Sequence, residues 1–403
     1  MKYWAKLFTI VLALAFITPT SHAAIKSGSS CTKAGVKKVS AGKSYTCVKS
    51  GKKLIWSKGI LTPIAKPAPS PSPSATTTST PSASAPATPT PIVVKLNFEN
   101  LIENNSKISY TAWKKTSETI MSSVSKTGTL TVYSGPNTPV LFENIPYAIG
   151  LVSKMFPSKG EPKENLWIRY NAIDMSWAEK QAKEKLTSSD YNHIARNQGG
   201  DLTGTNCDTR GSNCRGSYQQ TGPSGIALVM QGVENYLPND LANRARMTTG
   251  MLEAHEYFHA VQRIPILNTG AQVWPHAWWR EGGAEWVQNA AINYNNYEYY
   301  KSFITSDCLK ICENLSEAEI AEFLRTAKEN TLPSKFDQWL NYSLGSHVVE
   351  ILVAIGGADV LVDMYAEMGK GKSFDSAFET LFETPWKDAI PIIAKSIYKN
   401  LRS

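Results

Sequence analysis

His255-Glu256-Tyr257-Phe258-His259 is the part of this chain best suited to chemistry. It reads HExxH, and residues 247–263 around it contain no proline, which predicts a helix. Four residues are about one helical turn, so both imidazoles leave one face and can share one metal ion. Glu256 stands beside that face, where a carboxylate can take a proton from a metal-activated water. A core histidine pair is the alternative. It would not account for an acid between the two histidines and a second acidic segment downstream.

That segment is Trp278-Trp279-Arg280-Glu281-Gly282-Gly283-Ala284-Glu285-Trp286, with 21 residues between His259 and Glu281. A catalytic zinc takes three protein ligands and keeps a fourth position open, and His255, His259 and Glu281 would complete such a set. Glu285 lies one turn beyond Glu281 and is placed to hydrogen-bond a ligand imidazole, although a surface carboxylate would look the same in sequence. Gly282 and Gly283 carry no side chains, so a neighbouring helix or a substrate backbone can come close.

HExxH followed by W-x-x-E-G-x-A-E-W resembles the gluzincin metallopeptidases, and within them the secreted peptidase MA-like proteins. The resemblance covers roughly residue 225 to the C-terminus and is specific in three short motifs. It implies one zinc ion per chain held by His255, His259 and Glu281, with Glu256 as general base. It also implies a tyrosine that stabilises the oxyanion, in a Y-x-x-G that opens a helix; Tyr342-Ser343-Leu344-Gly345 matches. His347, five residues further on, is a rival donor. Gluzincins place an edge strand before the active-site helix, where an extended substrate pairs by strand addition. The apolar run within residues 226–231 is the candidate for that strand. Aminopeptidases of the group carry G-x-M-E-N, and Gln231-Gly232-Val233-Glu234-Asn235 lacks the full pattern, so the resemblance implies an endopeptidase acting on peptide or protein substrates.

The elements that must hold these residues follow from pattern. Strands are expected at 129–134 and 166–170, and helices at 147–155 and 176–186. Residues 197–222, rich in Gly, Asn and Thr, read as a loop. From residue 241 on the chain reads as mainly helical, with helices at 358–368 and 374–382. The fold class is α+β: a mixed α/β N-lobe with an edge strand, then a mainly helical C-lobe. The resemblance makes this a gluzincin-like two-lobed catalytic domain over residues 94–403. His276 reads as a loop residue, and His193 carries little signal. Residues 93–125 fit either a mature lobe or an inhibitory segment.

The N-terminal part has a different composition. Lys2 and Lys6, an apolar run over residues 7–17 and Ser21-His22-Ala23 predict a signal peptide over residues 1–23, hence secretion. Residues 62–93 hold nine of the 22 prolines, mixed with Ser, Thr and Ala, and read as a linker. Between them, residues 24–61 read as a small β module with a hairpin at Ser50-Gly51. It resembles a Cys-pair repeat of secreted actinobacterial proteins. Thirteen of the 42 Lys and Arg, all Lys, stand before residue 99, where there is no acid; the remaining 29 face all 34 acids, a net of about −5. The formal +8 therefore belongs to the N-terminal end and does not predict a nucleic-acid-binding enzyme. The basic module fits adhesion to an anionic cell-wall polymer, or a cap whose lysines serve solubility. The six cysteines fall into three local pairs, predicting disulfides between nearest neighbours in an oxidising compartment. No transmembrane segment is expected. Two other functions stay open in sequence: an envelope-associated binding protein with a vestigial peptidase site, and a zinc hydrolase with a non-peptide substrate.

Overall fold

The computed structural model describes residues 29–32, 37–40, 43–51, 53–57, 60–61, 95–207, 213–235, 241–267, 269, 273–328 and 331–402. The expected signal peptide and linker lie outside the described residues. The chain divides into two compact units, Met1–Pro89 and Thr90–Ser403.

In the first unit β1 (Lys37–Ser40), β2 (Lys43–Ser50), β3 (Lys53–Trp56) and β4 (Ile60–Leu61) form an antiparallel sheet. β2 and β3 are the expected hairpin, in register from Cys47↔Trp56 to Ser50↔Lys53, and Gly51 turns it at φ +61°. The Cys31–Cys47 disulfide and buried Trp56 make a core too small to stand on apolar burial alone.

The second unit is mixed α/β. In chain order it contains α1 (Ile108–Ser122), β5 (Thr129–Ser134), α2 (Ile145–Met155), β6 (Glu164–Tyr170), α3 (Met175–Lys185), α4 (Ser188–Asn197), β7 (Gly216–Thr221) and β8 (Ile226–Gly232). Helices α5 (Leu241–Thr248), α6 (Met251–Arg263), α7 (Ala277–Ile292), α8 (Tyr297–Cys312) and α9 (Glu317–Thr326) follow. The last are α10 (Ser343–Gly356), α11 (Val360–Gly369), α12 (Phe374–Phe382) and α13 (Trp386–Asn400). The sheet runs β5-β6-β8-β7, with β5, β6 and β8 parallel and β7 antiparallel to β8. Residues 95–125 belong to this unit: Leu96, Phe98, Ile108, Ala112 and Ile120 are buried in the main core.

Two expectations are corrected. The segment 226–231 is not an edge: β8 lies between β6 and β7 and every residue in it is buried. A continuous apolar run of this kind is what a strand covered on both faces requires. The edge next to β8 is β7, inside the segment read as a loop, and β5 is the opposite edge. The β7 sequence Gly-Ser-Tyr-Gln-Gln-Thr is half-buried throughout, as suits a strand that ends a sheet. Nor is 247–263 one helix, because Gly250 adopts φ +92° and separates α5 from α6. A Cβ at Gly250 would meet Phe142 and Ala148 within 3 Å, so this break is tightly packed.

The sheet holds α6 in place. Gln231 Oε1 of β8 accepts from Trp167 Nε1 (2.9 Å) and Arg169 Nε (3.0 Å) of β6. Arg169 Nη2 and Gln231 Nε2 both reach Glu253 Oε1 at 3.2 Å, two residues before His255. All four side chains are buried, so removing one partner strands another in the core. Phe156, the residue that ends α2, stacks on Phe258 with centroids 5.0 Å apart and supports α6 beside His259. All three local cysteine pairs are disulfide-bonded, Cys31–Cys47, Cys207–Cys214 and Cys308–Cys312, which fits an oxidising compartment. Among the described residues no helix is long and apolar enough to cross a membrane.

Candidate metal centre

The helical spacing has its expected effect: the rings of His255 and His259 lie 4.9 Å apart on one face of α6. Opposite them α7 presents Glu281, whose Oε2 is 3.3 Å from His259 Nε2 and 3.7 Å from His255 Nε2. Ligand atoms of the three residues all fall within 4.8 Å of one another, so the group could hold a metal ion. Two imidazole nitrogens and one carboxylate oxygen are a donor set that suits zinc.

Each imidazole is oriented from behind. Gln262 Nε2 donates to the Arg280 carbonyl (3.1 Å), which turns its Oε1 toward His259 Nδ1 at 2.9 Å. His259 Nδ1 must then carry the proton, leaving the Nε2 lone pair facing Glu281. Glu285 Oε2 lies 3.5 Å from His255 Nδ1 and is anchored by Arg246 Nη1 at 2.8 Å. Glu285 is therefore the buried partner of a candidate ligand rather than a surface acid. Sequence reasoning missed Gln262, although it lies one turn after His259, where a partner for that ring could be sought.

The close approach that positions Tyr342 rests on glycine. A Cβ at Gly282 would lie 2.4 Å from the Gly345 carbonyl carbon, and one at Gly345 would lie 2.7 Å from the Trp278 oxygen. Helices α7 and α10 thus cross backbone to backbone, and Tyr342, at the N-terminal end of α10, comes over the site. Its ring is parallel to that of His255, with centroids 6.1 Å apart. His347 faces elsewhere. It is buried on α10, does not line the cavity, and has no hydrogen-bond partner at Nε2. His276 caps the N-terminus of α7, buried and stacked on Phe374 at 3.9 Å, outside the metal-ligating group.

The electrostatics separate the acids. Burial alone would raise the Glu281 carboxyl, but His259, His255 and Arg280 outweigh it and hold it well below the usual range. Burial pushes the Glu256 carboxyl up despite the two imidazoles, and its Oε2 is buried without a hydrogen-bond partner. Glu256 also lines the cavity beside the two histidines, and a buried acceptor of this kind calls for a hydrogen-bond donor. Burial disfavours the His255 cation, yet Glu281 and Glu285 carry its pKa up to about 9. A ligand imidazole must be neutral, so metal binding here releases a proton. Burial and the Glu281 charge push the Tyr342 phenol up, so it keeps its proton and remains a donor.

These residues open into a cavity of about 1340 Å³ lined by His255, Glu256, His259, Glu281, Tyr342 and all six residues of β7. β7 ends the sheet, and no strand pairs with its outer edge among the described residues. Comparison of the chain with protein-family models, with curated proteins and with solved structures finds no match. The chemistry has to be read from the geometry of the site.

Proposed function

We propose that this chain is a secreted, zinc-dependent endopeptidase of the gluzincin kind, with a mixed N-lobe and a helical C-lobe meeting at the metal group. The observation that carries the reading is the convergence of His255 Nε2, His259 Nε2 and Glu281 Oε2, with buried Glu256 beside them, its Oε2 without a partner, in a cleft walled by a sheet edge. Zinc held by those three residues would act as a Lewis acid, lowering the pKa of water and polarising a carbonyl.

The protein supplies the rest. Glu256, its affinity for a proton raised by burial, takes the proton from water and later passes it to the leaving amine. Tyr342 keeps its phenolic proton and donates it in a hydrogen bond where negative charge develops on the substrate carbonyl oxygen. The outer edge of β7 offers backbone donors and acceptors to an extended peptide, which favours recognition of main chain over sequence. A non-peptide ester would have no use for such an edge.

The test is zinc analysis of the purified protein together with cleavage of casein or gelatin by wild type and Glu256→Gln. The expected result is one zinc per chain in both proteins and cleavage by wild type alone. Zinc-loaded wild type that cleaves no peptide would sink the peptidase reading, and protein without stoichiometric metal would sink the zinc reading as well.

A further inference from the structure

The charge of the cleft opposes that of its domain. From residue 99 onward 29 basic residues face 34 acids. Yet the cavity is lined by Arg196, Arg215, Arg246, Arg263 and Arg280, and among the described residues the acids that line it are Glu256 and Glu281. A cationic concavity in an acidic domain concentrates anionic ligands.

Among these arginines Arg263 stands apart. Arg246 is paired with Glu285 at 2.8 Å and Arg280 with Glu281 at 2.9 Å. Half-buried Arg263 donates only to the Val273 carbonyl, at 3.4 Å, and meets no carboxylate among the described residues. Its guanidinium lies over the ring of Trp274 at 5.0 Å from the centroid, and that of Arg280 lies over the same ring at 5.4 Å. The shared indole holds two like charges near each other without neutralising either. Trp274 is itself partly exposed. On α6, Arg263 falls one turn beyond His259, so it faces the same cleft about 5–6 Å further along. An extended peptide advances ~3.3 Å per residue, so a group one or two residues from the scissile bond reaches it.

We infer that Arg263, with Arg280 and Trp274, forms a specificity subsite for a substrate carboxylate one or two residues from the cleaved bond. The carboxylate is either an acidic side chain or a free C-terminus, and a planar guanidinium fork binds both in the same way. This inference rests on the peptidase reading for its substrate class.

Three peptides of equal length separate the sources: one with Glu and an amidated C-terminus, one with Gln and a free C-terminus, and one with Gln and an amidated C-terminus. Wild type loaded with zinc is assayed for kcat/KM, and Glu256→Gln is assayed for binding by calorimetry, so that affinity is read without cleavage. At least one carboxylate-bearing peptide should exceed the neutral one by roughly tenfold in both measurements, and the arm that does so names the source. Arg263→Gln should remove that preference, read as the ratio of the carboxylate-bearing to the neutral peptide on the same preparation. Arg263→Lys, which keeps the charge and the stem, should retain part of it and covers the case in which the glutamine variant folds poorly. Equal handling of all three peptides, or an undiminished preference in both Arg263 variants, overturns the inference. Charge-selective binding without any cleavage would remove the peptidase reading and leave the carboxylate subsite standing.

Discussion

Two adjacent glycines, Gly282 and Gly283, should respond oppositely to alanine. At Gly282 the added Cβ would lie 2.4 Å from the carbonyl carbon, 2.6 Å from the Cα and 2.8 Å from the oxygen of Gly345. All three are backbone atoms, so no side chain can swing aside, and α7 and α10 must separate by about 1 Å to restore ordinary contact. Overpacking of this kind costs about 1–3 kcal/mol, and here belongs near the upper end because neither helix backbone can yield locally. Alanine regains about 1 kcal/mol of helix propensity over glycine. The net expectation for Gly282→Ala is a loss of about 1–2 kcal/mol. At Gly283 the Cβ would meet only Gln262 Nε2 and Phe258 Cε1, both at 3.4 Å, so propensity dominates and stability should hold or rise slightly.

The assay is urea denaturation of the full chain followed by tryptophan fluorescence, with zinc affinity and peptide cleavage measured on the same preparations. Separating α7 from α10 draws Tyr342 away from Glu281 but leaves the His255, His259 and Glu281 group on the α6–α7 pair. Zinc should still bind to Gly282→Ala, whereas cleavage should fall by up to about 100-fold, the size expected when a catalytic group is misplaced by ~1 Å. Equal urea midpoints for Gly282→Ala and Gly283→Ala would refute the idea that the Gly282–Gly345 crossing sets the position of Tyr342. So would full activity in a Gly282→Ala protein that has lost stability.

Two further outcomes follow from other parts of the structure. Gln262→Ala removes the acceptor that fixes the His259 tautomer and should weaken zinc binding roughly 10–100-fold with little change in the urea midpoint, and unchanged affinity would mean that the ring is oriented by packing alone. Burial, helped by Lys328, draws the His276 pKa down to about 4, so between pH 6.5 and 4 the unfolded chain binds a proton that the folded chain refuses. Its contribution is complete above pH 6.5 and is lost as pH falls, so His276→Phe, which keeps the stack on Phe374, should gain up to roughly 3 kcal/mol on wild type between pH 7 and pH 4. Parallel stability curves for the two proteins over that range would contradict a buried neutral imidazole.

What could be read in the sequence was what depends on residues close together along the chain. His255 and His259 meet because four residues make a turn, and that holds whatever surrounds the helix. The bounds of β5 and α12, the three cysteine pairs and the hairpin at Gly51 were legible for the same reason. The cationic cleft was not, because its arginines stand on α4, before β7, and on α5, α6 and α7, and only the tertiary fold brings them together. The choice between Tyr342 and His347 was open for a related reason. Five residues on a helix put them on different faces, and which face meets α7 is decided by Gly345, a residue whose importance lies in what it lacks.

The misread edge strand has a physical cause that bears on function. A strand is recognised in sequence by the apolar residues that bury its faces, so β8, covered on both sides, announces itself and β7 does not. A strand that receives a peptide must keep one edge unpaired in water without inviting aggregation, and polar, half-exposed residues are how an edge survives. Gly216-Ser217-Tyr218-Gln219-Gln220-Thr221 meets that requirement, and for that reason its composition looks like a loop. On the peptidase reading, the property that would fit β7 to accept substrate main chain is the same one that hides it from hydrophobic periodicity. If the peptidase reading holds, a polar segment just before a fully apolar strand and an HExxH helix is where a substrate-binding edge should be sought.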